Sequence, residues 1–365
     1  MNIATDNYSE SELLNALESS NRNVYYEYIV ADTSGTLKGT LSIEDGQISY
    51  DSKNEVMRTF SGTARASSVM NLGCTDFYIM PWMCLVYKND VIKWPLGRFL
   101  VNPSEDYQGH AKYVNIVGYD LGKIALDDKS DNRTFAAAGS IYTSIAGQIL
   151  GSMYTNVNIV TSEKTSQAPL EWEIGTEKLT IVNDLMKSIS YNPLYFDEYG
   201  VGQLTPYVVP EDREIERIYQ DGQMSIIVDG LNVESSKFEV PNKFIRYVEN
   251  PDAPYLISTY VNDDEDSPYS TVNRGRTIVD ADSVDDIASQ SDLDAYVRKV
   301  AIEKTQAVET IEFSTLNMPG HGFQNCLLLK VDYYDINSKY IEVGWEMDLS
   351  RGGLMTHRCE KAVVL

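Results

Sequence analysis

The segment from Trp94 to Leu121 joins two kinds of sequence pattern, and this transition limits the folds open to the chain. Residues 94–101 and 112–121 are rich in β-branched and aromatic side chains and are bounded by proline, glycine and aspartate, which predicts two strands. Beyond Leu121 the pattern becomes alanine-rich and helical, and regular strands return only after residue 200. The sequence therefore predicts that a β module ends here and that an α/β module begins.

Short strand signals precede this transition in close succession, after a capping box at residues 9–12 that predicts one short helix. The most apolar of these signals runs from Phe77 to Tyr87, and the turn at residues 88–90 predicts a hairpin with residues 91–94. Many short strands at this spacing are typical of a β-barrel or a β-sandwich.

Helical patterns follow the transition. Isoleucines at positions 141, 145 and 149 recur every four residues and predict a helix that ends near Gly151. A second helix is predicted up to Asn192-Pro193, where the proline would end it, and a strand–turn–strand unit follows over residues 194–208. Together these elements predict a compact α/β unit.

A second change begins near residue 241. Residues 251–300 hold eleven acidic and four basic side chains, and a helix is predicted from about Ser291. The last β block includes Tyr340–Leu349, whose clean alternation predicts a half-buried antiparallel strand with an acidic polar face. The predicted apolar face holds Ile341, Val343, Trp345, Met347 and Leu349, and the predicted polar face holds Glu342, Gly344, Glu346 and Asp348.

The chain is strongly acidic, with 54 acidic and 30 basic residues and a net charge of −24. Such a surface repels a polyanion, which argues against nucleic acid bound along the outside of the protein. The same charge is compatible with DNA that passes through an acidic channel without adhering. No segment resembles a signal peptide or has the length of a membrane span, so we expect a soluble protein that does not use the signal-peptide route.

The cysteines and histidines give no catalytic arrangement. Cys74, Cys84, Cys326 and Cys359 lack CxxC spacing and are predicted to be reduced and partly buried, with a Cys74–Cys84 disulfide as the alternative. His110 follows an acidic turn, His321 is predicted to be a turn residue between glycines, and His357 stands two positions from Cys359 without metal-ligand or nucleophile spacing. Phosphate-binding loops and nucleophile motifs are absent from the sequence. We therefore predict no enzyme, no catalytic residues, no cofactor and no metal site.

Two other site types were weighed. The cluster Asp263–Asp266 offers carboxylates to calcium, but it lacks the spaced pattern of a formed loop, which favours a solvated acidic turn. A glycan-binding surface would use exposed tryptophans, yet Trp345 lies on an apolar strand face, which favours a place in the core. The tryptophans that could form such a surface are Trp82, Trp94, Trp172 and Trp345.

Several segments, in order along nearly the whole chain, resemble the hub proteins of bacteriophage tails. This family includes the central baseplate hub of contractile tails and the N-terminal part of the tail-associated protein of non-contractile tails. The segments are 96–101 (LGRFLV), 114–121 (VNIVGYDL), 138–142 (AGSIY), 195–200 (YFDEYG), 271–276 (TVNRGR) and 346–355 (EMDLSRGGLM).

The resemblance implies an α+β, mainly β fold, with two tube-like antiparallel β-barrel domains and two smaller α/β domains. The first barrel would comprise residues 1–120, followed by an α/β domain at 121–200. The second barrel would comprise 201–240 together with 306–365, interrupted by an acidic α/β insertion at 241–305. In the family, six barrels of a homotrimer mimic a sixfold ring.

The implied function is that of a structural hub of a phage tail tip or baseplate. A homotrimeric ring would join the hexameric tail tube to the spike or tip and form part of the delivery channel. The implied partners are the chain itself, the tail tube or distal tail protein, the spike or tip protein and the tape measure protein, with DNA in transit. The expected location is the virion, after assembly in the host cytoplasm. The alternative function is a glycan-binding or polysaccharide-depolymerising tail protein, and a calcium-gated hub is a third option.

Overall fold

The fold is described from a computed structural model of the chain. It covers residues 3–73, 75–101, 113–222, 225–235, 238–284, 286–306 and 308–363, so Cys74, His110 and Met224 lie outside the described residues. The helices are α1 (Glu10–Glu18), α2 (Ala66–Met70), α3 (Gly122–Asp127), α4 (Tyr142–Gly151), α5 (Lys178–Lys187), α6 (Thr271–Arg274) and α7 (Gln290–Gln306). No helix in these ranges has the length and apolar character needed to cross a bilayer.

The strands lie in four sheets, and the largest contains strands from both ends of the chain. They are β1 (Asn23–Asp32), β2 (Leu37–Leu41), β3 (Ile43–Asp51), β4 (Arg58–Arg65), β5 (Phe77–Tyr87), β6 (Asp90–Pro95), β7 (Phe99–Val101), β8 (Tyr113–Asp120), β9 (Thr134–Ala136), β10 (Val157–Ile159), β11 (Leu170–Trp172), β12 (Tyr195–Phe196), β13 (Gly202–Leu204), β14 (Arg217–Gln220), β15 (Ile227–Ser235), β16 (Lys243–Val248), β17 (Ile257–Val261), β18 (Val279–Val284), β19 (Glu309–Leu316), β20 (Cys326–Val331), β21 (Ile336–Asp348) and β22 (Leu354–Lys361).

The large sheet runs in the order β15-β19-β22-β21-β3-β4-β8-β7-β5-β1-β2, with β6, β14 and β20 attached beside this path. Its two halves meet where β21 pairs antiparallel with β3, from Gly344 opposite Asp51 to Asp348 opposite Gln47. One hydrophobic core extends across this junction and includes Ile48, Phe60 and Trp345. The strands of the two predicted barrels are thus hydrogen-bonded into one curled sheet, which confirms the mainly β, α+β class.

The α/β unit after Leu121 has its own core. Leu121, Leu170, Leu185 and Leu204 belong to one buried cluster, in which α4 packs against α5. The helix predicted around the isoleucines at 141, 145 and 149 is present as α4 and ends at Gly151, as predicted.

The buried residues of α4 are Tyr142, Thr143, Ala146 and Leu150, whereas Ile141 is exposed. Tyr142, Ala146 and Leu150 recur every four residues, and Ile145 and Ile149 are partly buried against the same core. The hydroxyl of Tyr142 donates to Asp286, so this face of α4 contacts the 241–305 segment.

Residues 241–305 form a small sheet covered by a helix. Strand β16 lies between β17, which is antiparallel to it, and β18, which is parallel to it. Phe244 and Val248 of β16 point toward α7, where they contact Val297 and Leu293 in two small buried clusters. This arrangement follows from the strand alternation in β16 and from the apolar stripe of α7.

Strand β21 departs from its predicted alternation. Its pairing with β22 shifts register between Glu342 and Gly344. This shift is a β-bulge in which Val343 is the extra residue. Because an extra residue exchanges the two faces, Glu342 lies on the same side as Trp345. The prediction that Glu342 belongs to the acidic polar face is therefore wrong: this side chain is fully buried.

Candidate functional site

The solvent-facing side of the large sheet is polar around the junction of β3 and β21. Along each strand these residues alternate with core residues, as Ser49 does with Ile48 and Tyr50. We call this surface the polar sheet face and define it by Gln47, Ser49, Asp51, Glu312, Glu346, Asp348, Thr356 and Arg358.

The polar sheet face is acidic and shallowly concave. It has depressions of about 310 Å³ and about 620 Å³, and both are lined in part by Glu346 and Thr356. Its one guanidinium belongs to Arg358, which lies 2.7 Å from the carboxylate of Asp51. The four carboxylates of Asp51, Glu312, Glu346 and Asp348 outnumber this guanidinium, so the surface presents negative charge to solvent and disfavours a polyanion.

Beneath this face, the core contains a cluster of buried polar side chains. The carboxyl group of Glu342 lies between two imidazoles, 2.7 Å from Nδ1 of His321 and 2.6 Å from Nδ1 of His357. On the far sides, Nε2 of His321 lies 2.9 Å from the hydroxyl of Tyr219, and Nε2 of His357 lies 2.8 Å from Oγ1 of Thr315. The cluster thereby connects β14, β19, β21, β22 and the loop before β20.

The positions of the protons follow from the partners at the ends of this cluster. Thr315 has one hydroxyl proton and donates it to the carbonyl of Leu316 at 2.9 Å, so Nε2 of His357 must donate to Thr315. Burial lowers the pKa of His357, which favours a neutral ring with an unprotonated Nδ1. Burial also raises the pKa of Glu342, which favours the protonated carboxyl group, and this form can donate to that Nδ1.

The other half of the cluster continues in the same direction. Burial raises the pKa of the Tyr219 hydroxyl, which therefore stays protonated and donates to Nε2 of His321. Burial lowers the pKa of His321, so its ring is neutral and Nδ1–H donates to the second oxygen of Glu342. Every hydrogen bond then runs one way, from Tyr219 to Leu316, and the cluster carries no net charge.

Composition alone would suggest a metal site here. Among the described residues, His321, Glu342 and His357 are the one group whose three possible ligand atoms lie within 4.8 Å of one another. Two ligands of a tetrahedral zinc ion stand about 3.3 Å apart, given bonds of 2.0–2.1 Å. The 2.6 and 2.7 Å separations are hydrogen-bond distances, so these residues fit a shared proton and not a metal between them.

No sequence pattern predicted this cluster, and the reason is physical. Its members come from five segments and have no local spacing, and the alternation of β21 assigned Glu342 to solvent. The prediction of a turn residue at His321 did not include its buried imidazole, which forms part of the cluster. Cys359 faces the core beside His357, but burial raises its thiol pKa well above the usual range and excludes a thiolate.

The other candidate residues remain apart. In the described chain, Cys84, Cys326 and Cys359 are buried free thiols, while the proposed bridge partner Cys74 lies outside it. The residues Asp263–Asp266 are exposed, and their carboxylates do not converge with other possible metal ligands in the described ranges.

No shared tryptophan surface is present in the part of the chain that the structure describes, which includes all four tryptophans. Trp94 and Trp345 are buried, and Trp82 and Trp172 are half-buried. The Nε1 atoms of Trp94 and Trp172 donate inside the protein, to the carbonyl of Ile3 and to Asp184. The two half-buried rings belong to different sheets, Trp82 to β5 of the large sheet and Trp172 to β11.

Comparisons with solved structures identify the fold. A tail protein from Neisseria meningitidis MC58 matches with a TM-score of 0.66 at 11% identity, over 92% of this chain and 96% of that one. The 43 kDa tail protein of prophage MuSo2 from Shewanella oneidensis matches with a TM-score of 0.62 at 10% identity, over 91% of this chain and 98% of that one. Prophage tail protein gp18 from Listeria monocytogenes EGD-e matches with a TM-score of 0.54 at 12% identity, over 91% and 94%.

No family model and no curated protein matches the sequence. The likeness therefore lies in the fold, because the sequence identities are only 10–12%. It extends over nearly the full length of each compared chain, which confirms the resemblance inferred from the sequence segments. The chain has the fold of phage tail proteins.

Proposed function

We propose that this chain is a structural hub of a phage tail tip or baseplate, in which a homotrimeric ring joins the tail tube to the spike or tip. The observation that carries the proposal is the extent of the fold likeness. Three tail proteins each match over at least 91% of this chain and at least 94% of their own length. A match of this extent includes the large sheet and both smaller units.

In this hub, the β strands of residues 1–120 and of 201–240 with 306–365 form two tube-like units. Residues 121–200 and 241–305 are the appended α/β units, in keeping with their separate buried clusters. Three subunits then supply six tube-like units, which suits contact with a hexameric tube. The pairing of β3 with β21 would hold the two units of one subunit in a fixed relation.

The polar sheet face would line the delivery channel. Its carboxylates Glu312, Glu346 and Asp348 would keep DNA from adhering during transit, because like charges repel in the absence of bridging cations. Strands β2 and β15 end the main path of the large sheet, and their outer edges would pack against neighbouring subunits.

The role is non-enzymatic and virion-associated. The partners are further copies of the chain, the tail tube or distal tail protein, the spike or tip protein and the tape measure protein, in a particle assembled in the host cytoplasm. The buried cluster of Glu342 would stabilise the core instead of performing chemistry, since all four of its titratable side chains are inaccessible to a substrate.

The mass of the purified protein tests this proposal. Light scattering should give about 123 kDa, three times the subunit mass of 41.0 kDa. A strictly monomeric species at micromolar concentration would contradict the trimer.

A further inference from the structure

A cavity of about 320 Å³ lies away from the polar sheet face, where three parts of the fold meet. One wall comes from the loop between β13 and β14, including Tyr207 and Val208. A second comes from the last turns of α7, and the third from the bulged part of β21, where the buried side chains of Ile341 and Val343 line the cavity. The cavity thus combines apolar and polar walls.

The polar wall has hydrogen-bond donors without acceptors. Gln306 is 5% exposed, and its buried Nε2 has no hydrogen-bond partner. The buried hydroxyl of Tyr207 also has none. Because buried donors are normally satisfied, two such groups on one cavity indicate a missing acceptor.

Lys299 adds a positive charge that is weakly compensated. Its ammonium group lies 3.9 Å from the carboxylate of Glu303 and donates to the carbonyl of Tyr191 at 3.3 Å. Only 13% of this side chain is exposed. Burial lowers the pKa of Lys299, so a bound anion would stabilise its charged form.

The other two cations of the cavity are each paired with a carboxylate. Lys53 is paired with Glu360, and Arg213 lies 3.4 Å from Glu216. Lys299 is therefore the cation of the lining whose carboxylate partner, Glu303, is the most distant, at 3.9 Å. This incompletely paired ammonium group favours a small anionic ligand over a cation.

We propose that this cavity binds a small organic acid, with its carboxylate accepting hydrogen bonds from Lys299, Gln306 and Tyr207. The hydrocarbon part of the ligand would contact Ile341 and Val343. A charge-assisted bond to a buried ammonium group is stronger than a neutral one, so Lys299 should contribute most to affinity.

Glutarate is the probe, and its neutral isostere glutaramide is the ligand control. Melting of the full chain is followed at constant ionic strength as each compound is added. Glutarate should raise the melting temperature in a saturable way, because a ligand of the native state stabilises it, whereas glutaramide should not. Inorganic phosphate should act more weakly, since it cannot contact the apolar wall.

Three cavity variants locate the site. Lys299→Met should weaken glutarate binding at least tenfold, and Gln306→Leu and Tyr207→Phe should weaken it several-fold. Lys129→Met is the matched control, because Lys129 pairs with Glu177 outside the cavity, and it should leave the response unchanged. If Lys299→Met fails to fold, Tyr207→Phe removes a single hydroxyl and still tests the site. An equal response in the cavity variants and the wild type, or no saturable response in the wild type, would overturn the proposal.

Discussion

The direction of the hydrogen bonds around Glu342 makes a sharp prediction for the variant Glu342→Gln. A glutamine amide presents one acceptor oxygen and one donor nitrogen at the positions of the two carboxyl oxygens. Its oxygen can accept from Nδ1–H of His321 and its nitrogen can donate to Nδ1 of His357, over the observed 2.7 and 2.6 Å separations. Glutamine therefore reproduces both bonds of the protonated carboxyl group, and only its second N–H lacks a partner.

The magnitudes separate this account from its rival. One buried, unsatisfied donor costs about 1–3 kcal/mol, so Glu342→Gln should reduce the free energy of unfolding by that amount. Glu342→Leu leaves two imidazole nitrogens without partners and should cost about 2–6 kcal/mol. If Glu342 were instead an ion accepting from two Nδ1–H groups, glutamine would place a donor against a donor. Its cost would then approach the roughly 3–5 kcal/mol of a broken buried ion pair.

Urea unfolding at neutral pH measures these differences. Glu312→Gln, at an exposed position on the polar sheet face, is the matched control and should stay within about 0.5 kcal/mol of the wild type. Glu342→Gln should be clearly more stable than Glu342→Leu, with similar denaturant slopes in both. If the glutamine variant is as unstable as the leucine variant, the neutral proton order is wrong.

Three further predictions concern other parts of the fold. Burial raises the pKa of Asp120 from 3.8 to about 6, so its contribution to stability is fully present below pH 3.8 and is lost as the pH rises through about 6. Between these values, pH-dependent unfolding should show the wild type losing about 3 kcal/mol relative to Asp120→Asn, and parallel curves would contradict this. The double variant Glu346→Lys, Asp348→Lys should retard duplex DNA in gels at low salt, an effect that added salt should abolish, whereas the wild type should not bind. Ser9→Ala removes the capping box of α1 and should cost about 1 kcal/mol in thermal unfolding, while an unchanged stability would show that α1 does not depend on its cap.

Local patterns in the sequence predicted individual elements well. The capping box at Ser9 and Glu12 is present at the start of α1, and strand β5 has the predicted bounds of Phe77 and Tyr87. The helix predicted from about Ser291 is α7. These features depend on neighbours within a few positions, and a sequence shows such neighbours directly.

Long-range packing decided the features that the sequence did not reveal. The pairing of β3 with β21 joins residues about 300 positions apart, as from Asp348 to Gln47, and no local pattern encodes it. The bulge at Val343 reverses the alternation of β21, which carries Glu342 into the core between two histidines that are themselves distant in sequence.

Electron-microscope imaging of the purified protein in negative stain tests the proposed hub most directly. The account predicts rings built from three subunits, with a central hole lined by the polar sheet face. Isolated single subunits, or assemblies without a central opening, would contradict it.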